Sequence, residues 1–163
     1  NKLSKVTDVS LTISLHAPND KLRDILVPIN KKYPIKDLLK SVKNYVDSFD
    51  DKRITTFEYI LIDKVNDSLE IANELANLLK NYPCKINLIP FNEFSLSEYS
   101  KPSNNRLRAF KEYLVKKGFI TTIRSTRGDD IMAACGQLVG EVKDKTKRKE
   151  RLKRQVKALE LNA

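Results

Sequence analysis

Apolar residues along this chain recur at two spacings, and the spacing changes at regular intervals. Four short stretches are dense in β-branched and aromatic residues: 9–15 in "DVSLTISLHA", 55–62 in "TTFEYILID", 85–90 in "KINLIPFN" and 119–124 in "FITTIRST". Each reads as a strand. Between them the period lengthens to that of a helix. "IKDLLKSVKNYVDSF" sets Ile35, Leu38, Leu39, Val42 and Val46 on one stripe, and "DSLEIANELANLLKNY" does the same with Leu69, Ala72, Leu75, Ala76 and Leu79. "NNRLRAFKEYLVKKG" repeats the theme with Leu107, Phe110 and Leu114, and Gly118 is placed to end that helix.

Strands that alternate with helices require crossover connections, hence a parallel sheet covered by helices. The four strands read as apolar on both faces, as a fully covered parallel sheet demands. Such βα units build either a small doubly wound sheet or half of a (β/α) barrel. No GxGxxG follows a strand, which removes one argument for a dinucleotide fold. In both architectures the ligand site lies beyond the carboxyl ends of the strands. That rule selects Ser14 and His16 after the first strand, Asp63 after the second, Asn92 after the third, and Arg124 to Asp130 with Cys135 after the fourth.

Composition narrows the class. With 163 residues and 40% hydrophobic content the chain suits one domain with a real core. It carries no apolar run near the ~20 residues that span a bilayer and no hydrophobic signal core at its start, so a cytoplasmic location without membrane attachment is expected. The single methionine is Met132, so the chain reads as a processed product or a fragment of a longer protein. Its metal-ligating side chains of the soft type are His16, Cys84 and Cys135, too widely spaced for a metal site built from this chain alone. No feature of the sequence specifies an oligomeric state.

Charge is unevenly spread. The net charge is +10, and "KDKTKRKERLKRQVK" (143–157) holds nine Lys or Arg against Asp144 and Glu150. The expected division is therefore a domain over 1–142 and a basic helical tail over 143–163. Such a tail either meets nucleic-acid phosphates or forms a solvated terminal helix.

The candidate chemical groups each have two readings. His16 is a ligand-binding imidazole at a strand end or a satisfied structural histidine. Asn92 offers a donor and an acceptor to a ligand, or serves a turn. Cys84 precedes its strand, on the opposite rim, and reads as core packing. Cys135 sits among small residues in "RGDDIMAACGQLVG", downstream of Arg124 and Arg127, which could lower its thiol pKa.

Four segments, "ISLHAPND", "LRDILVPINKKYPI", "PCKINLIPFN" and "TTIRSTRGDDIMAACGQLVG", in this order and spacing, closely resemble the radical S-adenosylmethionine enzymes that methylate adenine C2 in 23S rRNA and tRNA. The resemblance implies an α/β fold, the C-terminal half of a radical-SAM partial barrel. It implies that Ser14, Leu15, His16 and Asn92 bind S-adenosylmethionine, and that Cys135 is the catalytic cysteine that carries the methyl group. It also implies a 4Fe-4S cluster, but the CxxxCxxC that holds it is absent here, so its ligands would lie upstream and this chain alone would be inactive. Two alternatives stand beside this one: the sister family that methylates adenine C8 of 23S rRNA and shares "ACGQL", and a noncatalytic RNA-binding module. Half a barrel should also leave unpaired sheet edges and an uncovered core face, favouring poor stability or association.

Overall fold

The alternating strand and helix patterns fold into a four-stranded, all-parallel sheet. The computed structural model describes residues 3–7, 9–50, 53–94 and 97–124, all within a compact unit spanning Asn1–Asp129. The second unit, Asp130–Ala163, lies outside the described residues, and with it Cys135 and the basic tail. The elements run β1 (Thr12–Ser14), α1 (Asp20–Leu26), α2 (Ile35–Val46), β2 (Thr55–Leu61), α3 (Leu69–Leu79), β3 (Cys84–Pro90), α4 (Asn104–Lys116) and β4 (Ile120–Ile123). A 3-10 turn, Leu3–Lys5, precedes β1, and another, Pro28–Lys31, joins α1 to α2.

The strands lie in the order β1-β2-β3-β4, each parallel to the next. Strand order that follows chain order is singly wound, the arrangement of a barrel segment, whereas a doubly wound sheet reverses direction at a switch point. One face is packed by the helices: Phe57, Tyr59, Leu61, Ile86 and Leu88 form a buried cluster with Leu39 and Val42 of α2, Leu75 and Leu79 of α3, and Phe110 and Leu114 of α4.

The other face corrects the expectation of strands apolar on both sides. Along β2 every second residue is buried and the residues between are only partly so. The register sets Ser14 beside Glu58, Glu58 beside Asn87, and Asn87 beside Thr122, giving a polar row across all four strands. Thr122 Oγ1 donates to Asn87 Oδ1 at 3.0 Å within it. Burying a carboxylate and an amide under a second layer would be costly, so this is a face made for water or a polar ligand. The face that the described helices leave open is therefore not bare core; β1 and β4, each with one strand neighbour among the described residues, remain edges as expected.

Local sequence explains the helix ends. Asn19, Ser68 and Ser103 cap α1, α3 and α4, each side chain accepting a backbone N–H of the first turn. Pro34 precedes α2 and offers no side-chain cap; Asp20 Oδ1 accepts the Ile35 N–H at 2.9 Å in its place. Gly118 ends α4 as anticipated, with φ +92°. Its N–H donates to Val115 O and that of Phe119 to Leu114 O, the two bonds of a Schellman motif. Helix α1 has no counterpart in the hydrophobic pattern, because Arg23 is its buried residue. Among the described residues no helix is long and apolar enough to cross a membrane.

Candidate functional site

The residues where strand character breaks are brought together at the carboxyl end of the sheet. After Ser14 the chain leaves β1 through Leu15 and His16. The Leu15 and His16 N–H groups both donate to Glu58 O, at 3.0 and 3.4 Å. His16 then adopts a left-handed backbone, φ 62°, a conformation that a non-glycine residue holds only when its surroundings enforce it.

Two buried polar side chains enforce it. Asn66, with no exposed surface, lies beyond β2. Its Nδ2 donates to His16 O (3.1 Å) and to Ile60 O (2.7 Å), and its Oδ1 accepts the Ile62 N–H (2.8 Å). Three backbone groups at two strand ends are thus satisfied by one amide. From the other side comes Arg23 of α1, also buried. Its Nε donates to Leu15 O (2.9 Å), one terminal nitrogen to Ser14 O (3.1 Å) and the other to Asn30 Oδ1 (2.8 Å). Asn30 passes the contact on, donating to Asp20 and Asp24 at 2.9 and 2.7 Å. Burial pulls the guanidinium pKa down, while Asp20 and Asp24 support its charge.

This backbone frame fixes the side chains. Ser14 is exposed on the polar face, and its hydroxyl makes no hydrogen bond among the described residues. Leu15 is fully buried in the core cluster, so it serves the rim through its backbone and not its side chain. The His16 ring accepts the Ile60 N–H on Nδ1 at 3.2 Å, which leaves the proton of the neutral ring on Nε2. Burial first, and the Arg23 charge second, lower its pKa from 6.5 to about 4. His16 is therefore satisfied on one nitrogen and carries an uncharged donor on the other.

A pH experiment follows directly. His16 is the sole histidine of the chain, so its ring proton gives one NMR titration, expected to show a midpoint near 4 and none near 6.5. Because the folded pKa lies below the unfolded one, the unfolded chain binds the proton more readily. The His16 contribution to stability is then complete above about pH 6.5 and is lost as pH falls towards 4.

The rest of the rim is polar. Asp63 and Asp67 follow β2; Arg106, at the start of α4, sits 3.6 Å from Asp63 Oδ1 and 3.2 Å from Asp67 Oδ2. Asp67 Oδ2 is buried without an aligned hydrogen bond, so its contact with Arg106 is electrostatic. Asn92 follows β3, exposed, with no hydrogen bond to its side chain among the described residues. Arg124 extends β4, its N–H donating to Leu88 O at 2.8 Å. Ser14, His16, Asp63, Asn92 and Arg124 thus share one rim, as the strand-end rule requires. Cys84 begins β3 at the opposite end, half-buried against the core, and burial raises its thiol to about 11. Among the described residues no group of three or more His, Cys, Asp or Glu could hold a metal.

Glu58, Asn87, Arg23, Asn30 and Asn66 were not singled out by sequence reasoning. For the first two the signal was available in the alternation of "TTFEYIL" and "CKINLIP". The other three act across distances in the chain that a local pattern does not carry.

No protein-family model matches the chain. Dual-specificity RNA methyltransferase RlmN of Saccharophagus degradans is 59% identical over 161 residues, 98% of this chain and 40% of that protein. The RlmN of Pseudomonas fluorescens is 55% identical over 163 residues, 100% of this chain and 42% of its own length. Among solved structures, a radical SAM methyltransferase from Sphaerobacter thermophilus superposes with a TM-score of 0.78 at 46% identity, over 83% of this chain and 40% of that one. A domain of pyruvate-formate lyase-activating enzyme from Bacteroides vulgatus shares the fold alone, with a TM-score of 0.56 at 19% identity. The chain spans about 40% of the length of the curated relatives it matches. Nearly the whole chain thus matches the C-terminal part of proteins named dual-specificity RNA methyltransferase RlmN, and most of it matches part of a radical SAM methyltransferase.

Proposed function

We propose that this chain is the C-terminal portion of a radical SAM enzyme that methylates adenine C2 in 23S rRNA and tRNA, with Cys135 as the residue that receives the methyl group. The observation that carries the reading is the built rim: Ser14, Leu15 and His16, the "SLH" of the family resemblance, are held in a strained turn by Arg23 and Asn66. Strain maintained by two buried side chains is characteristic of ligand sites.

The residues present fit S-adenosylmethionine. An exposed Ser14 hydroxyl, an uncharged Nε2 donor on His16 and the Asn92 amide can hydrogen-bond its polar groups, and a neutral imidazole does not repel a sulfonium. Bound there, the cofactor would supply an activated methyl group. Adenine C2 lies between two ring nitrogens and is electron-poor, so it does not attack that methyl directly; a thiolate does. In the proposed step Cys135 Sγ forms a bond to the methyl carbon as the sulfonium–carbon bond breaks, leaving a neutral thioether on each side. The described residues do not fit a 4Fe-4S cluster, whose ligands this reading assigns to sequence preceding the chain, and no step is derived through it. The basic run 143–157 would hold RNA phosphates, and an adenine in loop or unstacked RNA would be the accessible target.

The test is Cys135→Ala in the full-length protein. Loss of adenine C2 methylation with RNA affinity retained supports the reading; methylation at the wild-type rate contradicts it.

A further inference from the structure

The segment that follows β3 carries chemistry that the cofactor and the cysteine leave unused. Phe91 lies beside two other rings: that of Phe94, centroid 6.2 Å away, and that of Tyr99, 6.0 Å away and nearly perpendicular at 84°. The outer rings are open to solvent, Phe94 46% exposed and Tyr99 38%. Backbone bonds tie the segment down: Phe91 N–H to Leu61 O (2.9 Å), Ser97 N–H to Phe94 O (2.8 Å) and Asp63 N–H to Ser100 O (2.9 Å). Tyr99 N–H donates to Ser97 Oγ at 3.0 Å, and Lys101 N–H to Glu93 Oε1 at 2.8 Å. Two exposed aromatic rings are thus presented at the rim, with backbone hydrogen bonds on either side of them.

We infer that Phe94 and Tyr99 form a stacking subsite for an unpaired base of the RNA substrate. The inference rests on the RNA methyltransferase reading and deepens it. Aromatic side chains bind single-stranded RNA by stacking on splayed bases. The local charge favours a base over a phosphate: Lys64, Lys101 and Arg106 are set against Asp63, Asp67, Glu93 and Glu98, which leaves no cationic surplus. Pre-positioned rings also lower the ordering cost of binding.

The experiment uses the full-length protein and an RNA hairpin with 2-aminopurine at the unpaired target position. Wild type and Tyr99→Phe should bind it and quench its fluorescence. Phe94→Ala and Tyr99→Ala should each weaken RNA binding about 5- to 100-fold and reduce the quench. Binding of S-adenosylmethionine should not change. Unaltered RNA affinity in both alanine variants would overturn the inference. So would loss of cofactor affinity in place of RNA affinity, which would assign the rings to the cofactor's own adenine. Failure of the wild type to bind the hairpin would overturn the methyltransferase reading itself and the inference with it. Because both rings are exposed, equal thermal stability of the variants is expected and checks that an affinity change is local.

Discussion

Replacing Arg23 with methionine should lower stability by about 3–5 kcal/mol, read as a lower denaturation midpoint at unchanged slope. Methionine fills much of the volume but returns none of the contacts. The Ser14 and Leu15 carbonyls lose their donors, Asn30 Oδ1 loses its own, and Asp20 and Asp24 lose the cation between them. Each orphaned buried group costs about 1–3 kcal/mol, and the losses overlap because they share one side chain. Arg23→Lys keeps the charge but cannot reproduce a fork that reaches three acceptors, so it should recover only part of the loss. A methionine variant as stable as wild type would show that the clamp contributes nothing to the rim.

Asn66→Ala should cost a similar amount, about 3–5 kcal/mol, for a related reason. The Ile62 N–H and the His16 and Ile60 carbonyls are left without their partner in a site closed to water. The effect should also be visible at a distance from the substitution. With the His16 carbonyl released, nothing on that side holds the left-handed turn, and the ring should move towards solvent. Its NMR titration midpoint should rise from about 4 towards 6.5. Asn66→Asp separates the terms, since one carboxylate oxygen can still accept from Ile62 while the other faces two carbonyls it cannot serve. An unchanged His16 titration in Asn66→Ala would mean that burial of the ring is independent of this amide.

The contrast between these residues and the strands explains what was legible. Strands β2 and β3 and helices α2, α3 and α4 are dominated by burial, and burial writes a period into the sequence. The apolar reading of both sheet faces failed for a specific reason. Ile60 and Ile89 fall between the buried positions and mask the alternation that places Glu58 and Asn87 on the open face. Strand β1 is shorter than its β-branched run, because pairing is confined to Thr12–Ser14 against Thr56–Glu58. Helix α1 is set by an asparagine cap and a buried arginine, and neither leaves a hydrophobic stripe.

At the site, Ser14, His16 and Asn92 were accessible to a rule about where strands end. Arg23 and Asn66 were not. Their partners lie 8 and 9 residues away for Arg23 and as many as 50 away for Asn66. Their polarity reads as surface until the fold shows it buried. The role proposed for the rim rests on the resemblance to a methyltransferase family, and the structure supplies the reason the rim keeps its shape.

Mass spectrometry of the full-length protein, supplied with its cluster and S-adenosylmethionine, tests the central claim most directly. Trypsin should release residues 128–143, "GDDIMAACGQLVGEVK", with Cys135 inside. The account predicts one methyl on the Cys135 sulfur, transferred from isotopically labelled cofactor, and its loss when Ser14 and His16 are both replaced by alanine. A fully active enzyme whose Cys135 is never labelled would contradict it.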